Sequence, residues 1–285
     1  MGETTIKTTI RLPHVYGEAA IVPVHAVARY PNRLSPPEGA SVWTQYLTVW
    51  GALIHHGKIG SGQSILITAA SSSAGLAAIE FANLLGAKPI AVTRTSAKKK
   101  SLLNSGAFQV IASAEEDLPA TVRKYTDGKG ADLIFDPVAG SFIETLAECA
   151  ARNAAIIEYG WLSADPTPFP LFSAFQKALT VRGYTLHEFV TDPVLRPKAE
   201  RFVYDHLEQG KLKPKIDRTF PLAQIIEAHR YLESNQQVGK VVVTVITVPD
   251  AWDSGSFCYL GNAARTWSSL AAQLLVSVLA ARRPE

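Results

Sequence analysis

The stretch SILITAASSSAGLAAIEFA, residues Ser64 to Ala82, reads as an apolar strand, a turn of small residues and then a helix. A strand that runs directly into a helix N-terminus presents unpaired backbone N–H groups and a partial positive charge, which together hold a pyrophosphate. Such turns carry three glycines, G-x-G-x-x-G, for a sharp bend, for close approach of the ligand and for helix–strand packing. Here the register is Ala70, Ser71, Ser72, Ser73, Ala74, Gly75, so only the third glycine stands. Ala70 and Ser72 are also small, and the hydroxyls of Ser72 and Ser73 can themselves bond phosphate oxygens. Taken alone, the turn leaves two alternatives open, a dinucleotide site or a tight corner between strand and helix.

The next strand favours the first alternative. In NAD-selective folds an acid ~20 residues further on accepts the ribose 2′-hydroxyl. Here strand PIAV ends in Thr93-Arg94-Thr95-Ser96-Ala97-Lys98, with no acid. A carboxylate there would repel a 2′-phosphate, whereas Arg94 and Lys98 attract one through charge-assisted bonds. The expected cofactor is NADP(H) rather than NAD(H).

Outward from this turn, short apolar runs alternate with helical spacing. The runs are 64–69, 89–93, 109–112, 131–136, 154–159 and 179–184; the helical stretches between them are 74–85, 97–104, 115–125 and 141–150. Strand–helix alternation implies parallel pairing with right-handed crossovers, hence an α/β fold with a doubly wound parallel sheet. Runs such as ILIT and LIF, apolar without alternation, fit strands buried on both faces. A helix over 41–55 leads into the sheet, and the valine- and proline-rich segment 17–37 before it reads as part of a small β-rich unit. After it come a helix over 192–209 with Asp192 as N-cap and Gly210 as stop, an extended piece over 213–216, a helix over 222–233 and a β-branched strand over 240–247.

Bulk composition excludes several classes. The 285 residues are 47% hydrophobic and 19% charged with a net charge of +3, and no basic run exceeds Lys98-Lys99-Lys100, so nucleic acid is not an expected partner. The N-terminus has no apolar core of signal-peptide length, and the apolar stretch 270–281, interrupted by Gln273 and Ser277, is too short to cross a bilayer. A cytoplasmic protein without membrane attachment is expected. Cys149 and Cys258 read as two reduced thiols, and with no CxxC or HExxH there is no metal signature. His14, His55 and His56 read as ordinary polar positions.

The phrases YLTVWGALIHHGKIGSGQSILITAASSSAGLAAIEFANLLGAKPIAVTRTSAKK, KGADLIFDPVAG, PTPFPLF, LTVRGYTL and FPLAQIIEAHRYLESNQQVGKVVV, in this order, resemble the medium-chain dehydrogenase/reductase superfamily, and within it the zinc-free quinone oxidoreductase and enone reductase branch. The resemblance runs from about Tyr16 to Ile246. It implies a Rossmann-type cofactor domain over 44–187 and a GroES-like β-rich domain from 1–43 and 188–248. It also implies hydride transfer from NADPH to a small-molecule quinone or α,β-unsaturated carbonyl, with secondary metabolism as one setting. Position by position, Ala70, Ser72, Ser73 and Gly75 match the pyrophosphate turn, and Thr93, Arg94 and Lys98 the 2′-phosphate end. Asp136, Pro137 and Val138 match the strand end beside the cofactor. Tyr159 and Gly160 match the next strand end, Lys240 a lysine near the cofactor, and Tyr46 and Thr48 the first helix. Gly183 and Tyr184 match an edge strand, 179–185, that builds a homodimer.

Two departures bear on function. Most of the barrel that precedes VYGEAAIVPVHAV in the family pattern is absent, so the β-rich domain reads as truncated. Beyond Val248 the family pattern ends, yet residues 249–285 follow, with an amphipathic helix expected over 267–281 from Trp267, Leu270, Ala271, Leu274, Leu275, Val278 and Leu279. Both leave alternatives open: a non-redox isomerase, dehydratase or cyclase on the same fold, or a non-catalytic paralogue that binds NADPH or a protein. Candidate acid–base groups are Tyr46, Tyr159, Asp136 and His187, the last beside Glu188, and Thr48 is a further catalytic candidate from the resemblance. Trp161 and 169–172 form an aromatic stretch that serves either a flat substrate or the core.

Overall fold

The computed structural model describes residues 27–244, 257–259 and 279–280. The chain divides into two compact units, Gln45–Val203 and Met1–Thr44 with Tyr204–Glu285.

The chain enters through β1 (Val27–Arg29) and α1 (Pro36–Ala40), whose N-cap Ser35 donates both its N–H and its hydroxyl to Glu38 Oε2, at 2.7 and 2.6 Å. Helix α2 (Trp43–Val49) continues as a π-helix over Trp50–His56, where 41–55 is predicted as a regular helix. A Cβ on Gly51 would lie 2.0 Å from the Tyr184 hydroxyl and 2.7 Å from Phe189, so the helix passes those rings at its glycine.

Six strands follow: β2 (Ser64–Ile67), β3 (Lys88–Thr93), β4 (Gln109–Ala112), β5 (Ala131–Asp136), β6 (Ala150–Glu158) and β7 (Thr180–Gly183). All pair in parallel, in the order β4-β3-β2-β5-β6-β7. Strand order therefore reverses between β2 and β5, and ligands of such sheets bind outside the carboxyl ends at that point. Ile65, Leu66 and Ile67 are fully buried on both faces, as their unbroken apolar run requires. Helices α3 (Ser73–Leu84), α4 (Lys99–Asn104), α5 (Leu118–Tyr125), α6 (Phe142–Cys149) and α7 (Leu171–Lys177) link the strands. One core layer packs Leu66, Ile90, Ile111 and Ile134 against Val122 of α5 and Leu146 of α6. Cys149 is a free, fully buried thiol, and burial pushes its pKa up to about 12.

Past the sheet, a short helix α8 (His187–Val190) comes first, and the helix expected over 192–209 is α9 (Leu195–Glu208). Asp192 does cap, its Oδ1 accepting from the N–H groups of Val194 at 2.7 Å and Leu195 at 2.8 Å. Phe189 packs on Trp50 at 5.5 Å and Phe202 on Phe81 at 5.4 Å, which keeps this stretch with the sheet beyond residue 187.

In the smaller unit, β8 (Ile216–Pro221) pairs in parallel with β9 (Lys240–Thr244), and α10 (Ile225–Glu233) covers them through Ala228, Phe220, Val241 and Val243. Strand β10 (Phe257–Tyr259) pairs antiparallel with β1 and with β11 (Leu279–Ala280). The helix expected over 267–281 lies outside the described residues except for Leu279–Ala280, which are paired as β11.

Candidate functional site at the carboxyl edge of the sheet

The turn after β2 is built by small residues meeting backbone. Ala69 takes a positive φ of 43°, and the Ala70 N–H bonds to Val92 O of the neighbouring strand at 3.2 Å. Ser72 caps α3, its Oγ accepting from the Gly75 N–H at 3.0 Å. The first-turn N–H groups of Ser73 and Ala74 are thereby left facing outward from the helix end. A Cβ on Gly75 would lie 2.6 Å from the Cα of Ala70 and 2.7 Å from its carbonyl. The third glycine is therefore obligatory, as the sequence implies, and the Ala and Ser replacements at the other two positions fit.

At the end of β3, Thr93 is buried and Arg94 is exposed. Lys98 reaches back to the turn, its Nζ donating to Ser71 Oγ at 3.1 Å. Two segments 27 residues apart thus meet, and a basic end lies against the helix N-terminus. Ser96 N–H donates to Glu115 Oε1 at 3.0 Å, so an acid does approach this end, but from β4's far loop.

Across the switch point, three side chains lie in one row. The register pairs Ile67 with Phe135, Asp136 with Glu158, and Glu158 with Gly183, so Thr68, Asp136 and Glu158 share one face of the carboxyl edge. Thr68 Oγ1 donates to Asp136 Oδ1. The other oxygen, Oδ2, accepts from the N–H groups of Val138 at 3.0 Å and Ala139 at 2.7 Å. Ala139, at φ 58°, gives this loop the same left-handed kink as the first turn. Asp136 is fully buried, and both carboxyl oxygens of Glu158 are buried with no donor. Burial first, and the neighbouring Asp136 second, push Glu158 up to about 9. The three donors hold the charge on Asp136 and leave the shared proton on Glu158.

This raised value fixes a pH dependence of stability. Relative to an ordinary 4.5, the folded state binds Glu158's proton more tightly than the unfolded state does. The stabilisation is complete below about 4.5 and is lost as pH rises towards about 9. The melting temperature of the wild type is expected to fall over that window, and Glu158→Gln, neutral at every pH, to fall less. Thermal melts by circular dichroism at acid, neutral and alkaline pH check it; parallel curves for the two proteins would refute it.

On the opposite face of the same edge, Tyr159 stacks on Phe135 at 3.8 Å and 10°. Its buried hydroxyl has no hydrogen-bond partner and reaches towards Ser72; burial raises its pKa. An orphaned hydroxyl beside a helix N-terminus is the kind of polar atom a ligand satisfies.

Other expected residues fall elsewhere. Tyr46 is fully buried, donates its hydroxyl to Glu80 Oε2 at 2.8 Å and stacks on Phe81, so it packs α2 on α3 and presents no surface. Thr48 is half-buried in α2, and Gly160 follows Tyr159. Lys240 is buried in β9 of the smaller unit. His187 is exposed, and Glu188 beside it bonds Arg182 and the Thr185 N–H and lies 3.4 Å from His56. Trp161, Phe169 and Phe172 are 70%, 61% and 74% exposed, which removes them from the core. Glu158 escaped the sequence reading, although an acid closing the apolar run IIE was its visible signal. Among the described residues, no group of three or more His, Cys, Asp or Glu is placed to hold a metal, and no helix is long and apolar enough to cross a membrane.

A doubly wound sheet with a glycine-pinned strand–helix turn at its switch point defines a dinucleotide-fold protein. Residues 105–243 match the family of zinc-binding dehydrogenases. The chain is 30% identical over 231 residues to the quinone oxidoreductase-like protein 2 homolog of Nematostella vectensis, covering 79% of this chain but 62% of that protein. Among solved structures it is similar to Escherichia coli quinone oxidoreductase in complex with NADPH, with a TM-score of 0.69 and 29% identity over 74% of this chain and 66% of that one. It is also similar to the CurF ER cyclopropanase of curacin A biosynthesis, with a TM-score of 0.70 and 27% identity over 78% and 66%. The chain is thus similar to quinone oxidoreductase-like members of the medium-chain dehydrogenase/reductase superfamily, and it spans less than two thirds of the first of these relatives.

Proposed function

We propose that the protein is an NADPH-dependent oxidoreductase that passes hydride to a quinone or an α,β-unsaturated carbonyl. The carrying observation is the basic end of β3 folded back on the turn, with no acid among residues 93–98, Lys98 on Ser71 and Arg94 exposed beside it. The NADPH complex of the E. coli relative supports the same cofactor. Ser72, Ser73 and the first turn of α3 would take the pyrophosphate, with Ala70 and Gly75 giving it room. Thr93, Arg94 and Lys98 would take the adenosine end, and Asp136, Val138, Tyr159 and Gly160 the nicotinamide end; Lys240 enters from the family resemblance alone. Bound NADPH supplies the hydride. The smaller unit is taken as part of a GroES-like domain, and a cytoplasmic setting belongs to the same reading.

Fluorescence titration of NADPH, with NADH as control, tests this. Arg94→Glu is expected to weaken NADPH about 10- to 100-fold, the worth of a charge-assisted pair replaced by a repulsion, and to leave NADH nearly unchanged. No NADPH binding by the wild type would sink the reading. Similarity to a cyclopropanase favours a second one, in which the same fold performs a non-redox step such as cyclisation. Product formed without oxidation of NADPH would select it.

We also propose a homodimer through β7, the outer strand of the sheet on its side. Thr180, Arg182 and Gly183 are exposed, and α7 just before it exposes Phe172 at 74% and Phe175 at 85%. Exposed rings of this size mark contact surfaces. The double variant Phe172→Glu/Phe175→Glu is expected to run as a monomer in light scattering where the wild type runs as a dimer.

A further inference from the structure

Asp136 and Glu158 form a buried acid pair, of which the reductase reading uses only Asp136, as a residue lining the nicotinamide end. They are register partners on adjacent parallel strands, on the same face of the carboxyl edge. Thr68 from β2 and the N–H groups of Val138 and Ala139 bond Asp136, while no donor reaches either oxygen of Glu158. From β7 the facing residue is Gly183, which brings no side chain. Among the described residues, the titratable groups acting on the pair are each other and Tyr159, and none is a cation. Two carboxyl groups so placed, without a positive partner, cannot both ionise, and the pair keeps one proton.

The pair also sits where charge would change. With the 2′-phosphate end at β3 and the pyrophosphate at α3, a dinucleotide lying across the switch point carries its other half over the ends of β5 and β6. That half is neutral when reduced and carries a positive charge when oxidised. A cation arriving beside a protonated acid pair stabilises the doubly ionised form and expels the proton.

We propose that the Asp136–Glu158 pair is a proton store coupled to the redox state of the cofactor, holding its proton in the free protein and with NADPH, and releasing it with NADP+. This rests on the proposed NADPH site. The balance closes: NADPH, the stored proton and the acceptor give NADP+ and an acceptor reduced by two electrons, one hydride and one proton. Water reprotonates the pair when NADP+ leaves. Glu158 is a positioning residue for that proton, with Asp136 as its anionic partner.

Isothermal titration of the full chain with NADP+ and NADPH, at one pH in two buffers of different ionisation enthalpy, counts the protons released. A net release is expected with NADP+, none with NADPH, and none with either in Glu158→Gln, which still binds both. Correspondingly, NADP+ affinity rises up to about tenfold per pH unit from about pH 6 to 8, relative to NADPH. The 2′-phosphate, common to both forms, cancels in that comparison. The infrared carbonyl band of a protonated carboxylic acid is expected at neutral pH in the free wild type and lost in Glu158→Gln. Equal proton counts for the two cofactors, a count unchanged in the variant, or no such band overturns the proton store and leaves the NADPH reading standing. Failure of NADP+ alone to bind overturns the proton store, and failure of NADPH to bind overturns both.

Discussion

Gly75→Ala is expected to destabilise the larger unit by about 2 kcal/mol and to abolish NADPH binding. The methyl group would lie 2.6 Å from the Cα of Ala70 and 2.7 Å from its carbonyl carbon and oxygen. Those atoms are backbone, so no rotamer relieves the contact. Ala70 is fully buried and tied to β3 through Val92 O, and Gly75 is tied to the cap through Ser72 Oγ. Either α3 moves away from the sheet or the turn opens. Helix propensity runs the other way, since alanine inside a helix is better than glycine by about 1 kcal/mol. The clash, at about 3 kcal/mol, outweighs it. Binding suffers more than stability, because the first-turn N–H groups must be aimed to within a fraction of an ångström. Gly60→Ala, where the nearest atom is Gln63 Oε1 at 3.6 Å, is the matched control and is expected to be near neutral. Urea midpoints and NADPH titrations of both variants decide. A Gly75→Ala protein that binds NADPH like the wild type would mean that the turn is only a corner.

The parallel sheet was legible because its strands are buried on both faces and so are written as unbroken apolar runs. ILI of β2 and LIF of β5 could not be anything half-exposed. Where burial is one-sided or interrupted, the reading slipped. Strand β6 starts at Ala150, four residues before the predicted run, because a register shift interrupts its pairing with β5 after Ala150 and the ladder resumes at Ala155; Arg152 and Asn153 lie in that irregularity, Asn153 at a φ of 62°. The π-helical stretch has no signature in apolar spacing, and the ring that Gly51 lets it pass belongs to a tyrosine 133 positions away in the chain, beyond any window of periodicity. The candidate site divides in the same way. Its local parts, the turn and the basic end of β3, are contiguous in sequence and were readable. The Asp136–Glu158 pair depends on the register of two strands, which a single sequence does not state, and Tyr46 looked reactive only while Glu80 was not seen beside it.

Asp136→Ala is expected to cost about 3–5 kcal/mol, the largest loss from any single side chain at this edge. The carboxylate gathers three donors from two elements: the Thr68 hydroxyl after β2 and the Val138 and Ala139 N–H groups of the loop after β5. Removing it strands the buried Ala139 N–H, leaves the half-buried Val138 N–H without its acceptor and leaves the Thr68 hydroxyl only Phe135 O at 3.5 Å; each unsatisfied buried group costs about 1–3 kcal/mol. The loop loses the acceptor that holds Ala139 at its left-handed φ of 58°. One effect opposes the loss. Without the neighbouring charge, Glu158 ionises more easily, but it remains buried and without a donor, so the relief is small. Asp136→Asn separates the two contributions. Its oxygen can still accept from the loop N–H groups, and its amide can donate to Thr68, whose hydroxyl rotates to accept, so the cost should fall to about 1 kcal/mol. The asparagine also removes the anion, so the proton on Glu158 should leave at lower pH than in the wild type. Chemical denaturation at neutral pH ranks the two variants, and a pH series on Asp136→Asn follows the proton. If alanine and asparagine cost the same, the three donors are not what Asp136 contributes. If asparagine leaves the titration of Glu158 where it was, the two carboxyl groups do not share a proton.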